Sequence, residues 1–229
     1  MEFKVDLSAE QKKANIFTLI ALATMIVGSL GLDQITKNVA EENLLVWADQ
    51  ENLKEYQGRR YPVWSLGQLT SPIEDQSFFL GFNFNYVRNQ GAAWGFLSDW
   101  DDAYRIPFFY IVTFLAVIII GMYLRTTPLS HRLARFALAL ILSGALGNFT
   151  DRLFRGYVVD FLDFRWVFPF PFSLQFSIDF LNFQVNANSW RYNFPNFNWA
   201  DSVITVGVML LLYDMLILER LRKNNIRSD

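Results

Sequence analysis

Two aspartates, Asp160 and Asp201, stand where apolar stretches meet polar, aromatic ones, and the 40 residues between them hold no further long apolar run. Ionisable groups at membrane depth are costly, which makes them functional candidates by default. If the flanking runs cross a bilayer, both carboxylates lie at the same face of it. Two neighbouring carboxylates do not both ionise cheaply, so they hold one proton between them; one then acts as base and the other as acid. The substrate of such a pair would itself be in the membrane.

Other carboxylates compete. Asp163 is three residues from Asp160, and pattern alone does not separate the two. Asp179 falls on the polar side of an alternating stretch at 174–180, where solvent explains it. Asp214 lies 13 residues beyond Asp201, about 20 Å along a helix, out of reach of the same site. Asp201 also admits a plainer reading as a helix N-cap.

Composition removes most alternatives. There is no cysteine and one histidine, His131, in a short charged loop. Thiol chemistry, thiolate metal sites and an H-E-x-x-H zinc site are excluded, and a Ser-His-Asp triad would have to use His131. A Ser–Lys pair would need Lys37 beside Ser29, eight residues away, about 12 Å on one helix. A net charge of −2 without a basic stripe gives nucleic acid no purchase. A transporter or proton conductor would set paired aspartates near the midplane on broken helices; here they close the apolar runs.

Apolar residues make up 52% of the 229 and charged ones only 18%, which points to the membrane. The runs predict an all-α membrane protein with four transmembrane helices at about 15–35, 105–125, 132–150 and 200–220. They form a single membrane domain over 1–229, with outside loops at about 38–104 and 153–199. Lys12 and Lys13, then Arg125, Arg132 and Arg135, then Arg220, Arg222, Lys223 and Arg227 all fall on one side, while 38–105 carries ten acidic residues against five basic ones. The positive-inside rule makes that basic side cytoplasmic, with both termini on it. The sequence Ala21-Leu22-Ala23 resembles a cleavage site, but it falls inside the first run, so the run reads as a retained span. Period-two alternation at 82–86 and 174–180 predicts strands. They form either a small sheet lying on the outer leaflet or a strand pair packed on the loops.

Polar residues gather where the runs end on the outer side. Asp33 and Lys37, four apart, are in pairing range on one helix face; they make a helix-end ion pair or the wall of a polar pocket. Asn89 opens a small-residue stretch at 89–95. The third run ends in Gly147-Asn148-Phe149-Thr150-Asp151-Arg152, and the fourth begins after Phe197-Asn198-Trp199-Ala200-Asp201.

Taken together, 33–37, 89–95, 147–164 and 197–202 resemble, in order and in topology, lipoprotein signal peptidase, the signal peptidase II aspartyl proteases of bacterial inner membranes. The resemblance implies that Asp160 and Asp201 are a catalytic dyad. Asp33, Lys37, Asn89, Gly147, Asn148, Asp151, Arg152, Asn198 and Ala200 fall on positions that build and support that site. It further implies four membrane helices, a small β platform and a flap on the outer, periplasmic face, and no metal. The implied substrates are diacylglyceryl-modified prolipoproteins, cut before the lipid-bearing cysteine; the implied partners are membrane lipids and globomycin-type inhibitors. The chain departs from the family at Trp94, where Phe is common, and in extra stretches before Phe82 and between Phe164 and Phe197.

Overall fold

A computed structural model describes residues 8–47, 56–58, 61–66, 79–90, 100–169, 176–178, 183–186 and 189–222. Helix α1 spans Ala9–Leu44, α2 Asp102–Thr126, α3 Arg132–Arg155 and α4 Trp199–Tyr213, the last continuing as a π-helical turn over Asp214–Leu218. Among the described residues four helices are long and apolar enough to cross a membrane.

Local chemistry sets the helix ends. The hydroxyl of Ser8 accepts from the Gln11 N–H at 3.2 Å and the Gln11 side chain accepts from the Ser8 N–H at 2.9 Å, a reciprocal cap that starts α1. Asp101 caps α2 through the Ala103 N–H. Arg135 donates to the carbonyls of Leu124 and Thr127, which would otherwise be left open where α2 ends. Gly156, at φ +78°, stops α3 in the left-handed conformation and turns the chain toward a strand.

The chain forms two compact units. One comprises Met1–Asp33, Thr113–Phe149 and Trp199–Asp229, the other Gln34–Val112 and Thr150–Asn198. In the first, α3 is the central helix. Ala134, Ala137, Leu138, Ala139, Ile141 and Ala145 are buried on it, whereas Ile16, Phe17, Val27, Phe114, Val206 and Met209 on the other helices are exposed. Large apolar side chains turned outward in this way suit helices whose solvent is lipid.

The second unit is built on antiparallel strands. β1 (Leu45–Trp47) pairs with β2 (Tyr56–Gly58). β3 (Tyr61–Leu66), β4 (Phe79–Asn89), β5 (Val158–Pro169), β6 (Phe176–Ile178), β7 (Phe183–Asn186) and β8 (Ser189–Asn193) form one sheet in the order β3-β4-β5-β8-β7-β6. The long β4–β5 pair is its spine. Its flanks are β3, from the stretch before Phe82, on one edge, and β8, β7 and β6, from between Phe164 and Phe197, on the other. Ala40 and Leu44 of α1 pack with Tyr86, Val159 and Phe161 as the core beneath the spine. The alternation expected at 82–86 belongs to β4; of that expected at 174–180, only 176–178 lies within the described residues.

Candidate active site

Asp160 is the third residue of β5, two residues after the strand opens beyond Gly156. Its side chain is 2% exposed. One carboxylate oxygen accepts from the Asn89 amide at 2.9 Å and the other from the Asn198 amide at 2.7 Å. Asn89 ends β4, paired backbone to backbone with Val158. Asn198 is held by its neighbour Phe197, whose carbonyl accepts from the N–H groups of Phe161 and Leu162 and whose N–H returns to the Leu162 carbonyl.

Asp201 lies in the first turn of α4, where its partly exposed carboxylate accepts from the Asn148 amide of α3 at 2.8 Å. The N-cap reading fails because α4 opens at Trp199, so Asp201 is already inside the helix; an acidic group there still meets the positive end of the helix dipole. Asp33 supplies the capping instead: its Oδ1 accepts from the Ala200 N–H at 3.0 Å, satisfying one of the donors a helix start leaves open.

Gly147 makes that contact sterically feasible. A Cβ at this position would come within 2.5 Å of Asp33 Oδ2 and 3.3 Å of the Ala200 side chain. Gly147→Ala should therefore force Asp33 off Ala200 and cost about 1–3 kcal/mol, as overpacking does. Thermal melts of the purified protein in detergent check this; an unshifted midpoint would remove the crowding argument.

Lys37 meets Asp151 at 2.9 Å, with both side chains fully buried. Asp151 also accepts from the Val159 N–H at 3.1 Å, from the Gln34 amide at 3.1 Å, and from the Arg155 guanidinium. It therefore anchors the opening of β5 one residue before Asp160. Arg152, its sequence neighbour, places its guanidinium 5.9 Å from the Phe109 ring centroid, while its carbonyl accepts from the Tyr110 hydroxyl. The Arg155 partnership had an available sequence signal, the i,i+4 spacing on α3.

The competing carboxylates have other occupations. Asp163 and Asp160 are three apart on a strand and so point to opposite faces. Asp163 is buried, accepts from Arg165 Nε at 3.1 Å on each oxygen, and takes a longer bond from Asn83. Asp214, buried in the π-helical turn, is bound by two nitrogens of Arg222 at 2.6 and 3.1 Å. Asp179 and residues 91–95, Trp94 included, lie outside the described residues. Among the described residues no group of three His, Cys, Asp or Glu side chains is arranged to hold a metal ion.

The family model described as signal peptidase (SPase) II matches residues 25–217. The chain belongs to the signal peptidase II family. It is similar to the lipoprotein signal peptidase of Anaeromyxobacter sp. (strain Fw109-5), with 36% identity over 83% of this chain and 82% of that protein. It is equally similar to that of Geobacter sulfurreducens, with 36% identity over 86% of this chain and 91% of that protein. Two solved structures of a bacterial membrane enzyme, at 2.3 and 1.9 Å resolution, match 86% of this chain at 27% and 26% identity, each with a TM-score of 0.52. They are covered over 87% and 93% of their own lengths. As a signal peptidase II, the chain is a multi-pass membrane protease that removes signal peptides from lipoproteins. The four membrane helices with an antiparallel sheet agree with the expected fold, and the sheet is wider than a strand pair.

Proposed function

We propose that Asp160 and Asp201 act as one catalytic dyad that cuts lipid-modified prolipoproteins on the amino side of the diacylglyceryl cysteine. The observation that carries the reading is the matched handling of the two carboxylates. Each accepts from an asparagine amide, and Asn198, which holds Asp160, stands only three residues before Asp201 in the chain.

The ionised member takes a proton from water as its oxygen attacks the scissile carbonyl carbon, while the protonated member donates to the carbonyl oxygen. Collapse of the tetrahedral intermediate breaks the C–N bond. The proton taken from water goes to the departing cysteine amine, and the new carboxyl end stays with the signal peptide. No metal is called on. Asn89 and Asn198 orient Asp160, and Asn148 orients Asp201. Asp33, Gly147 and Ala200 fix the start of α4, and Lys37 and Asp151 fix the start of β5, with Arg152 beside them. The substrate's acyl chains enter from the lipid, and its extended peptide lies along the sheet.

The basic clusters put both termini in the cytoplasm and the site at the periplasmic face of the bacterial inner membrane. The aromatic platform and flap then meet the outer leaflet, and globomycin-type inhibitors compete with the substrate. The test is to mix purified protein with a lipidated prolipoprotein, with and without globomycin, and to weigh the products. A cut directly before the lipid-bearing cysteine, blocked by the inhibitor, is the expected result. A cut elsewhere, or of unlipidated precursor at the same rate, would refute the substrate assignment.

A further inference from the structure

Asn89 reaches Asp160 only because β4 carries one residue too many. Phe84 pairs with Leu162 and Val87 with Asp160, so three steps on β4 match two on β5. This is a β-bulge at Asn85–Tyr86, and a bulge exchanges the faces of every residue beyond it. Counted from Phe84 in unbroken register, Tyr86 would point to the Asp160 face and Asn89 to the Val159 face. The extra residue reverses both.

The bulge is anchored from below. Tyr86 is 1% exposed and packs with Ala40, Leu44, Val159 and Phe161. Its hydroxyl donates to Glu41 of α1 at 3.0 Å, and Tyr157 donates to the same Glu41 oxygen at 2.9 Å. Arg88 donates to the Tyr86 hydroxyl at 3.2 Å and lies 4.7 Å from the Tyr157 ring centroid. The other Glu41 oxygen faces Arg155 at 3.4 Å. Burial raises the Tyr86 phenol above its ordinary range, against the opposing pull of Arg88, so the hydroxyl remains a donor. None of these groups has a part in the chemistry proposed above.

We infer that Tyr86, locked by Glu41, is a positioning residue: it holds the β4 bulge in the register that turns Asn89 onto Asp160. The inference rests on Asp160 being catalytic. Tyr86→Phe keeps the ring in the core and removes only the hydroxyl. It should lower kcat about tenfold, with KM changed less than about twofold, since the loss falls on orientation and not on substrate binding. Asn89→Ala should cost at least as much. The double variant should be no worse than Asn89→Ala alone, because both changes release the same contact. Glu41→Gln, which keeps an acceptor, should retain more activity than Glu41→Ala.

The assay uses the full chain in detergent with a lipidated prolipoprotein, and includes Asp160→Asn. If Asp160→Asn is inactive but Tyr86→Phe and Asn89→Ala act additively, the bulge inference fails and the dyad stands. If Asp160→Asn cleaves normally, the dyad fails and takes this inference with it. Should Tyr86→Phe not accumulate, the Glu41 pair carries the same decision: equal activity of Glu41→Gln and Glu41→Ala overturns the positioning role.

Discussion

Asp201→Asn should abolish prolipoprotein cleavage, lowering kcat by at least about a thousandfold, while the protein still inserts and melts close to the parent. Asp160→Asn should lose as much activity but also some stability. The difference lies in the surroundings. Asp160 is buried, with an amide donor on each oxygen. An asparagine there offers one oxygen and one more donor, so it sets N–H against N–H unless Asn89 or Asn198 turns over; a buried donor left unmet costs about 1–3 kcal/mol. Asp201, partly exposed, has room to direct an amide oxygen at Asn148. Asp201→Asn is therefore the cleaner test of chemistry. Turnover near the parent's by either variant, measured by mass spectrometry of the products, would take that residue out of the mechanism. Asp163→Asn, whose parent carboxylate faces Arg165 on the other side of the strand, should leave cleavage largely intact.

The elements that bring these carboxylates into place were legible to different depths. The four spans follow from apolar runs, because length and hydropathy alone decide whether a helix suits a bilayer. The end of α1 does not. The helix continues past its apolar run to Leu44 with Ala40 and Leu44 buried under Tyr86, a tertiary contact that no local pattern announces. Alternation marks β4, but the order β3-β4-β5-β8-β7-β6 depends on pairings between distant stretches of chain. The bulge that sets the face of Asn89 has no sequence signature at all. In the candidate site, sequence names the two aspartates and the asparagines Asn89, Asn148 and Asn198, but which amide meets which carboxylate depends on contacts between distant stretches of chain. Asp163 stayed a rival in sequence although a signal was present: Arg165, two residues on, shares its face of any strand.

The largest stability effect should come from Asp151→Ala. Its carboxylate faces a fully buried Lys37, and also receives Arg155, Gln34 and the Val159 N–H. Deleting it strips a counter-charge from an ammonium with no access to water and frees the N–H that opens β5. Breaking such a pair by removing one partner costs about 3–5 kcal/mol. Lys37→Ala should cost less, because Asp151 keeps Arg155 and two N–H donors. The ordering, Asp151→Ala below Lys37→Ala, is the discriminating result, read from denaturation of the purified protein in detergent. A further variant separates buried charge from lost packing. Lys37→Met combined with Asp151→Leu removes both charges and keeps most of the volume. If desolvation dominates, the double variant should be more stable than Asp151→Ala alone, because no ammonium is then left buried without this carboxylate. It should still be a poor enzyme, since an aliphatic side chain in place of Asp151 cannot accept the Val159 N–H that sets Asp160 in place. A double variant as unstable as Asp151→Ala would mean that the hydrogen bond to Val159, and not the ion pair, is what this carboxylate chiefly contributes.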